Sequence, residues 1–93
     1  MRTFKLEIVT RDAGYPTREV TSLNVPAARG RLTVLARHQP LVCMLQGGRV
    51  TILDAAGARE DWQVGEGTMT VTRELVTLLV HDAERVEPEA AEG

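Results

Sequence analysis

Gly30-Arg31-Leu32-Thr33-Val34-Leu35-Ala36-Arg37-His38-Gln39-Pro40-Leu41 is the stretch whose reading decides the fold. Gly30 can take the positive φ that a tight turn often needs. From the strand that follows, Leu32 and Val34 point one way while Arg31 and Thr33 point the other. Pro40 has no N–H for a sheet ladder, so it marks the loop or strand edge before Leu41. A turn, a short half-buried strand, a polar loop and a second apolar run in twelve residues is β-protein grammar.

The same grammar continues on both sides. Upstream, Phe4, Leu6 and Ile8 alternate with Lys5 and Glu7, a strand with one buried face. Asp12-Ala13-Gly14-Tyr15-Pro16 is a turn cluster. From Arg18 to Val25, Val20 is out of phase with Leu23 and Val25, and a bulge near Thr21-Ser22 repairs the register. Residues 26–30 read as a loop. Downstream, Leu41 to Leu45 is a continuous apolar run bounded by Pro40 and by Gly47-Gly48, which reads as a buried strand. Val50 and Ile52 lead into a hairpin loop over residues 54–58, and Trp62 and Val64 alternate with Asp61 and Gln63 on the return. Met69 and Val71 alternate with three threonines, a strand composition. Arg73-Glu74 is a turn, and Leu75 to His81, apolar at nearly every position, is a central strand. The expectation is all-β: a small β-sandwich of roughly eight to ten short strands over residues 1–83, with no helix and no repeats. Residues 84–93, rich in Ala, Glu and Pro, are expected to form an acidic tail, as a frayed helix or disordered.

Size and charge bound the function. Ninety-three residues make one domain with a modest core. Apolar positions spread over both faces of several strands imply a surface that a partner completes. The net charge of −2 owes much to the segment from Asp82 onward; the body carries ten basic and eight acidic residues, too even for a nucleic-acid binder. The one cysteine, Cys43, permits no internal disulfide and fits a reducing compartment. No apolar block resembles a signal peptide, and no run approaches the ~20 residues of a membrane span. A cytoplasmic chain without direct membrane insertion is expected.

Candidate chemistry is sparse. His38, His81 and Cys43 could supply zinc ligands, but their spacing matches no zinc motif. Cys43 beside His38 could be a nucleophile, but a thiol inside an apolar run packs as a small hydrophobe. Gly47-Gly48 and Gly65-Glu66-Gly67 are not followed by the helix a phosphate loop opens, so they read as turns or bulges. Trp62 is a core residue or a partner anchor. Arg29, Arg31 and Arg37 bracket the loop carrying His38, either as solvated surface charges or as a polar contact patch. No catalytic residue, metal or cofactor is expected.

The order of these segments resembles the amino-terminal β-sandwich of the epsilon subunit of rotary F-type ATP synthases. Residues 25–41 are similar to the family segment written as a glycine, an acidic residue, Leu-Gly-Ile, then Pro-Gly-His-x-Pro-Leu. Phe4 to Thr10 is similar to its first strand, Gly47-Gly48-Arg49-Val50-Thr51-Ile52 to Pro-Gly-x-Val-x-Ile, and Val76 to Asp82 to its closing Val-Thr-Val-Leu-Ala-Asp. Thr33 stands for a glycine, Ala36-Arg37 for Pro-Gly, Gly47 for a proline, and Arg29 and Arg31 stand where acids are frequent. The Arg37-His38 pair is similar to divergent, alternate-type rotary ATPases.

The resemblance implies a non-catalytic rotor subunit at the inner face of the bacterial cell membrane, in a complex with the gamma subunit and the membrane rotor ring. It implies partner binding through Arg29, Gly30, Arg31, Arg37, His38, Gln39, Pro40 and Leu41, with a ring loop that is acidic or neutral opposite Arg29 and Arg31. The twelve residues after His81, with Pro88 among them, are too few for the family's carboxy-terminal helical hairpin. Coupling without an inhibitory arm and without ATP binding is therefore expected. The rival readings are a free-standing adaptor β-sandwich and a small cupin-like metal enzyme, which would need more converging histidines than two.

Overall fold

The computed structural model describes residues 2–87. They form nine strands and no helix: β1 (Phe4–Val9), β2 (Arg18–Ala27), β3 (Gly30–Leu35), β4 (Leu41–Leu45), β5 (Gly48–Asp54), β6 (Arg59–Val64), β7 (Gly67–Val71), β8 (Leu75–Val80) and β9 (Ala83–Val86). The strand order is β1-β8-β7-β4-β2-β5-β6-β9, with β3 on β2 and a further β1–β2 pairing. β1 and β8 are parallel; every other named pair is antiparallel. The buried faces of β1, β8, β7 and β4 meet those of β2, β5 and β6 in one core, so the folded-over sheet makes two layers. Leu6, Leu23, Ile52, Met69 and Leu78 fill its centre.

β2 holds the layers together because it changes neighbours along its length. Its start pairs with β1 and its later part with β3 on one side. On the other side it passes from β5 to β4. The expected bulge lies between Val20 and Ser22: Val20 faces Asp54 while Ser22 faces Leu53. The extra residue, Thr21, turns its hydroxyl to the carbonyls of Leu53 and Asp54 at 3.3 and 3.2 Å. This single insertion brings Val20, Leu23 and Val25 all into the core.

Three expectations need correction. Pro26 and Ala27 belong to β2, so the loop before Gly30 shrinks to Ala28-Arg29, with Gly30 at φ 125° closing it. Pro26 is tolerated there because β2 is switching partners between Asn24, opposite Thr51, and Ala27, opposite Leu45. Residues 84–86 are strand, not helix or coil: β9 pairs with β6 from Val64–Ala83 to Asp61–Val86. An edge strand is held by its ladder bonds and needs little side-chain burial, which a judgement on apolar content misses. Residues 88–93 of the expected tail lie outside the described residues. Finally, β4 is a strand but is not buried on both faces: Val42 and Met44 are 71% and 62% exposed. In a two-layer fold nothing covers the second face, so every other residue of an apolar run must point outward.

Candidate partner-binding surfaces

The segment leaving β3 is shaped by its turn. The His38 N–H donates to the Leu35 carbonyl at 3.1 Å, and this closure places Arg37 at φ 68°. That left-handed conformation costs a residue with a Cβ about 1–2 kcal/mol. His38 Nδ1 lies 2.9 Å from the Gln39 carbonyl; a carbonyl only accepts, so that nitrogen carries the ring proton. Gln39 and Pro40 are exposed, while Ala36 and Leu41 pack against the core and anchor the loop at both ends. Arg37, His38, Gln39 and Pro40 line a groove of about 1020 Å³ together with the start of β1 and the turn at Arg73-Glu74.

Arg29, Gly30 and Arg31 sit at the opposite end of β3. Arg31 and Leu35 are four strand steps apart, about 13 Å. β3 pairs only with β2 among the described residues, so its second edge is open from Gly30 to Leu35. Arg31 does not extend from that edge. Its Nε donates to Asn24 Oδ1 and its Nη2 to the Arg49 carbonyl, both at 2.7 Å, and Asn24 Nδ2 donates to Thr33 Oγ1. The outer face of β3-β2-β5-β6 is thereby knitted into a polar network. At its far side Asp61, with no exposed surface, receives Arg59 Nε at 2.8 Å and Arg49 Nη1 at 2.9 Å.

The other layer presents a different outer face. Ladder registers align Val9, Leu79, Thr68 and Met44 in one row, and Glu7, Thr77, Thr70 and Val42 in the next. Thr77 Oγ1 donates to Glu7 Oε2 at 3.0 Å. Val42 and Met44 on β4 and Leu79 (54% exposed) on β8 are the exposed large apolar residues of this face, with Thr68 and Thr70 of β7 between them. The sequence reading anticipated a partner-completed surface without naming these residues. The signal was the unbroken run Leu41 to Leu45, read as burial on two sides rather than as one buried and one uncovered face.

The remaining candidates fall into place separately. Trp62 is a core residue: its indole N–H donates to Glu60 Oε2 at 2.7 Å and its ring meets Tyr15 edge-on, centroids 4.9 Å apart. Glu60 also receives Arg18 Nη1 at 2.7 Å. The Arg18 hydrogen bond, helped by the Trp62 N–H and opposed by burial, holds the Glu60 carboxyl below its ordinary range. His81 is exposed, 3.7 Å from Asp82. Among the described residues no three His, Cys, Asp or Glu gather where they could hold a metal ion, and no helix is long and apolar enough to cross a membrane. Cys43 faces the core side of β4, and burial pushes its thiol up. Iodoacetamide at pH 8 is therefore expected to alkylate Cys43 about tenfold more slowly in the folded chain than in urea. Equal rates, read by mass spectrometry, would place the thiol in solvent.

A family profile described as "ATP synthase, Delta/Epsilon chain, beta-sandwich domain" matches residues 3–86. An ATP synthase epsilon chain of Herpetosiphon aurantiacus is 34% identical over 83 residues, covering 89% of this chain and 60% of the relative. One of Chelativorans sp. is 31% identical over 85 residues, covering 91% and 63%. The chain thus spans about three fifths of the length of these relatives. Among solved structures, a chain of the Euglena gracilis mitochondrial ATP synthase matches with a TM-score of 0.85 at 19% identity, covering 89% of this chain and 53% of that one. A chain of the Tetrahymena thermophila mitochondrial ATP synthase matches at 0.74 and 12%, covering 89% and 66%. Both show the same fold.

Proposed function

The chain belongs to the ATP synthase delta/epsilon β-sandwich family, and from that premise we propose that it serves as a non-catalytic central-stalk subunit of a rotary, ion-translocating ATP synthase. It would sit at the inner face of the bacterial cell membrane, bound to the gamma subunit and to the membrane rotor ring.

The observation that carries this reading is the apolar face of the β1-β8-β7-β4 layer. A free-standing domain gains nothing by leaving Val42, Met44 and Leu79 in water on one face of the same layer. Completing the burial of these three side chains would contribute on the order of 3–6 kcal/mol, a useful share of a stable heterodimer. This face is assigned to gamma. The open edge of β3 and the loop after it, Arg29, Gly30, Arg31, Arg37, His38, Gln39, Pro40 and Leu41, are assigned to the rotor ring. The two surfaces lie on a rigid closed core, which is what passing torque between two partners requires.

The test is direct. Mixed with its cognate gamma subunit at micromolar concentration, the chain is expected to co-elute one to one in gel filtration and to melt at a higher temperature than alone. Met44→Glu and Val42→Asp, both on exposed positions, should leave the melting temperature of the free chain nearly unchanged while weakening gamma binding a hundredfold or more. Separate elution of the wild-type pair, or undiminished binding by both variants, would refute the assignment. The purified chain is expected to carry no stoichiometric metal, which separates this reading from a metal enzyme.

A further inference from the structure

Lys5 on β1, Arg37 after β3 and Arg73 between β7 and β8 come from three distant parts of the chain to one groove of about 1020 Å³. Among the described residues none of the three side chains enters an ion pair or a hydrogen bond. Arg18, Arg31, Arg49, Arg59 and Arg85, on the sheet, each have a nearby acceptor. Arg2, Arg11 and Arg29 likewise show no ion pair or hydrogen bond among the described residues, so what sets the groove apart is that it gathers three such charges.

Arg37 sharpens the point. It holds a left-handed conformation that glycine adopts without strain, and its side chain, exposed, returns nothing to the free chain. We propose that this groove takes a carboxylate-bearing loop of a protein neighbour in the assembled rotor, with Lys5, Arg37 and Arg73 receiving the carboxylates. The proposal rests on the central-stalk reading and adds to it the chemistry of the partner.

The two acids in the lining decide between kinds of anion. Glu19 accepts the Thr3 hydroxyl at 2.5 Å, and the Glu74 carbonyl accepts the Lys5 N–H at 3.0 Å, so the Glu19 carboxylate and the Glu74 backbone are tied into the walls. Three cations against two anions leave the groove only mildly positive. A dense array of lipid phosphates would meet Glu19 and Glu74 head-on. A folded loop presenting one or two carboxylates among neutral or basic groups can match both signs. A guanidinium receives a carboxylate through two parallel N–H donors, so Arg37 and Arg73 also fix the loop's orientation.

Lys5 is the single lysine of the chain, which makes it a unique reporter. In the assembled complex, a zero-length carbodiimide is expected to join Lys5 Nζ to an Asp or Glu of another subunit. Coupling of Lys5 only to Glu19 or Glu74, or to nothing, overturns the proposal. A second variant removes the strain and the charge together. Arg37→Gly is expected to melt no lower than the wild-type chain, to associate with the complex about tenfold more weakly at low salt, and to lose much of the salt dependence of that association. Unchanged association overturns the proposal. So does retention of the free wild-type chain, but not of Arg37→Gly, on vesicles containing phosphatidylglycerol, which would assign the groove to lipid. Absence of the chain from the complex altogether refutes the central-stalk reading itself, a failure separate from presence without a Lys5 bond.

Discussion

Replacing Arg49 and Arg59 together with alanine is expected to cost about 3–5 kcal/mol, because it strands a buried carboxylate. Asp61 has no exposed surface, and three guanidinium contacts at 2.8, 2.9 and 3.0 Å meet its two oxygens. Asp61 therefore stays charged: the Arg59 hydrogen bond, with Arg49 beside it, outweighs burial and holds the carboxyl below its ordinary value of 3.8. A folded value below the unfolded one means that this stabilisation is complete above about pH 4. It is lost as pH falls further through the folded value. Glu60, held below 4.5 chiefly by Arg18, acts in the same direction. The wild-type chain should thus keep a constant urea midpoint from pH 7 to about pH 5 and lose stability below that. The double variant should show a flatter profile, because its Asp61 has lost the two guanidinium groups that hold the carboxyl below 3.8. Its deficit should shrink as pH falls below about 4, where the wild-type chain loses the same stabilisation. Since a domain this size has only about 5–10 kcal/mol in hand, the variant should be partly unfolded at pH 7 and 37 °C. A double variant within 1 kcal/mol of wild type at pH 7, or one whose deficit does not shrink in acid, would show that the two guanidinium groups do not stabilise the Asp61 carboxylate.

That cluster also marks where the sequence stops being readable. The alternation of Trp62 and Val64 with Asp61 and Gln63 correctly sends Asp61 to the outer face. Nothing local says that Arg49, twelve residues earlier, crosses a strand to cover it. Arg31 is a second case. Its outward direction from β3 follows from period two, but its tether to Asn24 and the Arg49 carbonyl depends on pairing across β2 and β5. The alternating strands, the bulge at Thr21 and the turn at Gly30 were legible because each is decided within a few residues. The outer faces were not, because they depend on which strands become neighbours. The candidate loop was half legible for the same reason. Arg37 and His38 could be placed by their turn, whereas Lys5 and Arg73 join them only once β1 and β8 lie side by side.

Gly67→Ala is expected to be the most damaging single methyl addition, costing about 3 kcal/mol or more. Gly67 opens β7 and is paired on both sides, with Leu45 of β4 and with Val80 of β8. A Cβ built there would overlap the Leu79 carbonyl oxygen and stand 2.6 Å from Val80 Cα and 2.9 Å from the Leu79 carbonyl carbon. Overpacking typically costs about 1–3 kcal/mol when side chains can give way. Here the obstacle is backbone, held in a ladder that continues from Gly67–Val80 to Val71–Val76, with the His81 N–H bonded to the Glu66 carbonyl just beyond it. Relief requires β7 and β8 to part at that end. Parting them moves Thr68 away from Leu79 and breaks the row in which Thr68 links Leu79 and Val9 to Met44. The variant should therefore fail twice, with a urea midpoint far below wild type and weak gamma binding even when cooled enough to fold. Gly14→Ala is the matched control. A Cβ at Gly14 meets nothing within 4 Å, so it should stay within about 0.5 kcal/mol of wild type and bind gamma normally. If Gly67→Ala matches Gly14→Ala in chemical denaturation, the close approach of β7 to β8 is wrong, and the alignment of the apolar face with it.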